Sequence, residues 1–323
     1  MPRTRNVARH RPSTPALVNT TGLPSLPVEI LHEITSHLRG VPVHLPQMRI
    51  LPGTYLERFN TLRSLSETCQ RLRAVFLVLA WERLEVCASP KVFERPNGYE
   101  YNGSLFPKEG DLLFLSGELA SDFSRELGWQ IDVVSKHNPS LASAVRVVTV
   151  VLPDWVSEVT VTKFIRYLGT IPNLHTMQIF AIRDPIIEAI DRALRPLTFK
   201  AVHRLTFPRT MSPLAQQFPN LCSYTTSPLF YAHALAVANS FPHLVQIPPI
   251  YVLGLTPESV RLLKCMPNLR QINLVDHHKS SETHPHTELV ATAQEVLRKS
   301  SAEDKCVTLE YRRSGKLCRY PVN

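Results

Sequence analysis

Glycine is scarce in this 323-residue chain: 11 occur, against 27 prolines. Average usage predicts roughly 23 and 16. Glycine lets the backbone approach a phosphate closely, so its scarcity argues against a nucleotide-cradling loop. No G-x-G-x-x-G is present, Gly98–Ser104 lacks the lysine of a Walker loop, and there is no G-x-S-x-G elbow. Long apolar runs are missing too. The longest, Ala74–Trp81, is far short of the roughly 20 residues of a membrane span. Arginines near the start have no apolar stretch behind them, so no secretory signal is expected. Pro2, Pro12 and Pro15 oppose the long amphipathic helix of a mitochondrial presequence. The six cysteines, at 69, 87, 222, 265, 306 and 318, show neither zinc-ribbon nor C-x-x-C spacing. Such scatter reads as reduced thiols in an intracellular protein, cytoplasmic or nuclear.

What is present begins with charge. The chain is +9 overall, with 36 Lys+Arg and 27 Asp+Glu. A basic balance usually raises nucleic acid as a partner. Here the charge is local. Residues 1–28 hold Arg3, Arg5, Arg9 and Arg11 and no acid. Residues 305–323 hold Lys305, Arg312, Arg313, Lys316 and Arg319 against Glu310 alone. The body between them is nearly neutral, so protein is the expected partner, with neither membrane nor nucleic acid. Tyr311 and Tyr320 flank the second cluster and would be its stacking residues if it met single-stranded nucleic acid.

Hydrophobic residues reach 44%, enough for a packed core. Residues 1–23 read as a polar tail. Leu26-Pro27-Val28-Glu29-Ile30-Leu31-His32-Glu33-Ile34 then opens a helix, with Ile30, Ile34 and Leu38 four apart. Residues 41–57, with three prolines, read as a loop. Leu62, Leu65, Cys69, Leu72, Val75 and Phe76 form a second helical stripe. After a linker, a helix is expected between about Leu112 and His137.

From there a pattern repeats. Six segments fit apolar-x-x-apolar-x-apolar, starting at Val145, Leu174, Val202, Leu221, Leu244 and Leu269, and Cys306 starts a possible seventh strand. Four share a prefix: Pro172-Asn173-Leu174, Pro219-Asn220-Leu221, Pro242-His243-Leu244 and Pro267-Asn268-Leu269. Helix-like stretches fall between, among them 161–168, 186–194, 257–265 and 287–297. A strand plus helix every 20–29 residues is the leucine-rich-repeat period. A doubly wound α/β domain also alternates strands and helices, but has no reason to repeat a Pro-Asn-Leu prefix. The expected fold is α/β: a small helical module followed by an irregular repeat solenoid. It would be irregular because the asparagine expected eight residues after the first leucine is replaced, by Ile182 and His277 for instance.

The N-terminal pattern resembles an F-box. The matching residues are Leu26, Pro27, Glu29, Ile30, Leu31, Glu33 and Ile34, then Leu65, Cys69, Arg71, Leu72 and Trp81. The stretch 64–73 followed by Trp81-Glu82-Arg83-Leu84 is similar to the F-box families of mushroom-forming fungi, in which degenerate leucine-rich repeats follow. The implied division is a basic tail at 1–23, an F-box-like module at 24–86, a linker at 87–110, repeats at 111–311 and a basic tail at 312–323. The resemblance implies a substrate receptor of an SCF ubiquitin ligase, docking on a Skp-type adaptor and through it a cullin. It implies adaptor contacts at Leu26, Pro27, Ile30, Leu31, Ile34, Leu65, Cys69 and Leu72. Strand alternation suggests target contacts at Gln178, His203, Arg204, Gln271 and Asn273. The target, and any need for its phosphorylation, stays open. So do a repeat scaffold outside any ligase and an α/β enzyme.

Other chemistry has little support. His277, His278, His284 and His286 lie near Asp276 and Glu282, but without metal-ligand spacing they read as a solvated loop. No Ser, His and Asp spacing singles out a nucleophile. Neither cofactor, metal nor catalytic residue is expected.

Overall fold

The computed structural model describes residues 22–38, 52–86, 117–152, 156–181, 184–207, 216–226, 231–276, 286–311 and 316–322. The chain opens with helices α1 (Val28–Ser36), α2 (Pro52–Thr68) and α3 (Gln70–Trp81), then enters strand β1 (Arg83–Val86). Helix α4 (Gly117–Asp132) leads through a wide turn, Val133–His137, and a short 3-10 turn, Pro139–Ser143, to β2 (Val147–Leu152). Then come α5 (Glu158–Leu168), β3 (Thr176–Ala181), α6 (Asp184–Leu194), β4 (Arg204–Thr206), β5 (Ser223–Thr225) and α7 (Tyr231–Ser240). The chain closes with β6 (Ile250–Tyr251), α8 (Pro257–Arg261), β7 (Gln271–Asp276), α9 (Thr287–Arg298), β8 (Cys306–Tyr311) and β9 (Lys316–Pro321).

The fold is mixed α/β, and its strands follow chain order. β1 to β5 form one parallel sheet, and β6 to β9 a second in which only β9 is antiparallel. Gln246 links the two by bridging Ser223 on one side and Gln271 on the other. The segment starting at Leu244 is therefore a single bridge rather than a strand. Pro248 and Pro249 follow it, and proline has no N–H to donate to a ladder. Among the described residues no strand inserts between earlier neighbours, so their order does not reverse about a centre as it does in a doubly wound sheet.

The repeated prefix has a physical job. Phe218-Pro219-Asn220-Leu221 is a turn in which the Leu221 N–H donates to the Phe218 carbonyl at 3.2 Å. Phe241 with Leu244, and Met266 with Leu269, repeat it at 3.1 and 3.3 Å. Proline presets φ at the second turn position. The asparagine then reaches the preceding unit. Asn173 Nδ2 donates to the Ser143 carbonyl at 2.7 Å, and Asn220 Nδ2 to the Lys200 carbonyl at 2.8 Å. Ser143 and Lys200 each stand two residues before their own unit's first apolar position, Val145 and Val202. The bond is thus equivalent in both units. The asparagine acts before the strand, where the familiar repeat asparagine acts after it. Glycine's special freedom is used at Gly254, whose φ of 72° completes the turn closed by the Leu255 N–H on the Val252 carbonyl.

One continuous core runs from Leu31 to Tyr311. Strand residues of one parity, such as Val148, Met177, Leu205, Tyr224, Ile272 and Val307, are wholly buried. The crossover helices α5 and α6 pack side by side, as do α8 and α9. Ser157 and Thr256 cap α5 and α8, each accepting a backbone N–H three residues on at 3.2 Å. The cysteines at 69, 222, 265, 306 and 318 are free thiols. Among the described residues no helix is long and apolar enough to cross a membrane.

Several sequence expectations need correction. Residues 83–86 belong to the sheet and not to the helical module, because Arg83–Val86 pair with Val147–Val150. The helix runs over 62–76 are two helices: Cys69 is extended, at φ −159° and ψ 166°, and breaks them. The loop placed at 41–57 ends early, since α2 begins at Pro52. The tail placed at 312–323 contains β9, which pairs with β8 from Lys316 to Pro321. Tyr311 is buried in the core at 5% exposure and has no face free for stacking. The clusters at residues 3–11 and Arg312-Arg313, the linker and Gly98–Ser104 lie outside the described residues.

Candidate functional site

Helix α1 starts on the Pro27 carbonyl, which accepts the Ile30 and Leu31 N–H groups at 3.1 and 3.2 Å. Glu29 sits in its first turn, where the helix dipole favours an anion. The helix carries aliphatic residues on two sides. Leu31 and Thr35 turn inward, at 1% and 8% exposure. Ile30 and Ile34 turn outward together, at 46% and 38%, with Pro27 also exposed, and Val28 is 44% exposed on a different side of the helix. Leu26 is half-buried against the core, and its carbonyl accepts from Arg71 Nη2 at 3.4 Å. On helix α3, Val78 is also exposed, at 46%.

This divides the predicted adaptor contacts. Pro27, Ile30 and Ile34 are exposed. Leu26, Leu65 and Cys69 are half-buried, packed against the core. Leu31 and Leu72 are core residues, the latter at 2% exposure, and offer no surface to a partner. Helical periodicity marks a stripe as apolar. Which part of it stays bare is decided by whatever packs alongside.

The module is tied to the sheet region by aromatic rings. Phe59 of α2 meets Trp81 of α3 edge-on at 5.7 Å, and Trp81 meets Trp129 of α4 at 5.8 Å. Arg63 lies 6.0 Å over the Trp129 ring. Arg58 is buried, donates to the Leu79 carbonyl at 3.3 Å and approaches Glu82 at 3.9 Å. Burial pushes its guanidinium below the usual value; Glu85 opposes that shift, Arg83 adds to it, and Glu82 opposes it.

The predicted target contacts also divide. Gln178 is buried at 1% exposure and accepts from Thr149 Oγ1 at 2.8 Å. It belongs to a row formed by Glu85, Thr149, Gln178, Thr206 and Thr225 on adjacent strands. At strand spacing of about 4.8 Å such side chains cover one another. Asn273 is half-buried and accepts from Gln271 Nε2 at 2.6 Å and Thr308 Oγ1 at 2.5 Å. Arg204 is exposed and His203 half-buried. His203 Nδ1 donates to the Asn220 carbonyl at 3.0 Å, which leaves Nε2 pointing away from that bond.

Of the histidine cluster, His277, His278, His284 and the nearby Glu282 lie outside the described residues. His286 Nε2 pairs with the buried Asp276 Oδ2 at 2.9 Å. Among the described residues no three His, Cys, Asp or Glu side chains are grouped to hold a metal ion.

No protein-family profile matches this chain, and no curated protein matches it.

Proposed function

We propose that the chain is an F-box-type substrate receptor of an SCF ubiquitin ligase. Its helical module docks on a Skp-type adaptor, and a leucine-rich-repeat-like domain holds the target protein. The observation that carries this is the outward face of α1. Pro27, Ile30 and Ile34 are bare along one side of a segment that resembles the F-box start. Covering the exposed part of each aliphatic side chain is worth on the order of 1 kcal/mol, and an apolar helix face at steps of four suits a hydrophobic groove. The repeat reading is supported by strand order that follows the chain and by the equivalent Asn173 and Asn220 bonds. The chain performs no bond chemistry under this reading. It raises the local concentration of target beside the ubiquitin-carrying enzyme.

The test is co-purification with a Skp-type adaptor. The native chain should recover it, and the triple variant Pro27→Ser, Ile30→Asp, Ile34→Asp should not, with an unchanged circular-dichroism spectrum and melting temperature. Equal recovery by the variant sinks the docking assignment. No recovery by the native chain makes it a repeat scaffold outside any ligase.

A further inference from the structure

The strands of the first sheet begin on a basic rim. The Arg146 carbonyl accepts the N–H groups of His175 and Thr176 at 2.9 and 3.0 Å, and the His175 carbonyl those of His203 and Arg204 at 2.9 and 3.2 Å. Arg146, His175 and His203 therefore stand level on three successive units, about one strand spacing apart. The two imidazoles are 4.9 Å apart between centroids, tilted by 47°. Arg204 follows His203 and is paired in register with Thr176 and Ser223. Arg146, His175 and Arg204 are exposed and His203 is half-buried.

Among the described residues the charge of this group is not offset by a carboxylate, whereas several cations elsewhere are neutralised locally. Arg83 meets Glu85 at 2.6 Å, Lys163 meets Asp132 at 3.5 Å, Arg192 meets Glu158, Arg261 meets Glu258 at 3.2 Å and Lys299 meets Glu295 at 3.0 Å. Arg146, His175, His203 and Arg204 have no carboxylate partner among the described residues. After desolvation, His203, Arg204 and Arg146 all disfavour a proton on His175, and an anion laid across the rim offsets that repulsion. Guanidinium and imidazolium donors at strand spacing suit a chain of carboxylates or phosphates.

We propose that the rim formed by Arg146, His175, His203 and Arg204 binds an anionic peptide segment, acidic or phosphorylated, of the protein held by the repeat region. This rests on the receptor reading above and supplies its target class. Binding takes up protons. Desolvation and then His203, Arg204 and Arg146 hold the His175 imidazole below its usual value. The other polar group facing it is Thr176 Oγ1, at 3.3 Å from Nδ1. An anion at the rim raises that value, so affinity grows as pH falls.

The experiment is fluorescence anisotropy with the full chain and no adaptor, at constant ionic strength, at pH 8.0 and 6.0. The probes are a glutamate decapeptide, a phosphoserine peptide and its unphosphorylated form, and a single-stranded DNA oligonucleotide. At least one anionic peptide should bind, several-fold more tightly at pH 6.0, and the stronger one distinguishes carboxylate from phosphate. R146Q/R204Q should weaken it by about tenfold or more, while R146K/R204K stays within about threefold. H175N should flatten the pH dependence. Neutralising Arg3, Arg5, Arg9 and Arg11 should leave binding unchanged. The proposal is overturned if R146Q/R204Q binds like the native chain, if the neutralised N-terminus removes binding, or if DNA outcompetes both peptides at the rim. Adaptor recovery by R146Q/R204Q, measured separately, should equal the native value. Loss of rim binding is thereby distinguished from failure of the receptor reading.

Discussion

Helices α1 and α5 are both short and amphipathic, yet α5 leaves only Val159 of its first turn uncovered among its large aliphatics, while α1 leaves several. In α5, Val161, Phe164, Ile165 and Leu168 are all buried, between a sheet and the neighbouring α6. In α1, Leu31 is buried while Ile30 and Ile34 remain bare. A helix inside a stack has a neighbour for each apolar side. Helix α1 packs against fewer of the described elements and leaves Ile30 and Ile34 uncovered. Apolar composition alone does not separate the two cases.

The sharpest break in this comparison is substitution of matched aliphatics on the two sides of α1. Leu31→Ala should cost about 2–5 kcal/mol, as for other buried leucines, while Ile30→Ala should stay within about 0.5 kcal/mol. Urea denaturation of both variants decides it; equal losses mean that α1 has no inward and outward side. Within the sheet region, Phe218→Ala should cost about 3–5 kcal/mol, because that ring is 1% exposed and stacks on Phe199 at 5.2 Å.

The asparagine bonds rank next. Asn173→Ala and Asn220→Ala should each cost about 1 kcal/mol. The pair should be additive, since the two bonds share no partner. A double-mutant cycle with a large coupling energy would mean that the units do not stack through independent bonds.

The smallest effect is expected at Tyr167 of α5, whose buried hydroxyl has no hydrogen-bond partner. Tyr167→Phe should be neutral or slightly stabilising near pH 7, because a desolvated, unpaired group is removed. Burial pushes the phenol up to about 12 from 10. A raised folded-state value means that the stability is present below pH 10 and is lost as pH climbs from 10 to 12. Denaturation midpoints across that window should fall more steeply for the native chain than for Tyr167→Phe.

Much of the fold was legible in the chain. Thr256 and Pro257 mark a helix start, and the structure caps α8 there. The first apolar positions of all six repeated segments are buried, from Val145 to Leu269. Less was legible at the joints. Cys69 fits a helical stripe by spacing, yet it is extended, because position within a stripe reports which side is apolar and says nothing of whether the backbone hydrogen bonds continue across it. Gln178 fits an outward strand position, yet Thr149 and Thr206 on either side cover it.

The chain alone therefore determined the α/β class and the spacing of the Pro-Asn-Leu prefix. These are local or periodic properties, set by φ preferences and by which residues can be buried at regular intervals. Tertiary structure alone decided which aliphatics of α1 stay bare, that residues 83–86 and 316–321 join the sheets, and that Arg146, His175, His203 and Arg204 meet on one rim. Those outcomes depend on neighbours tens of residues away, where backbone pairing and excluded volume set the distances and local sequence carries no record of them.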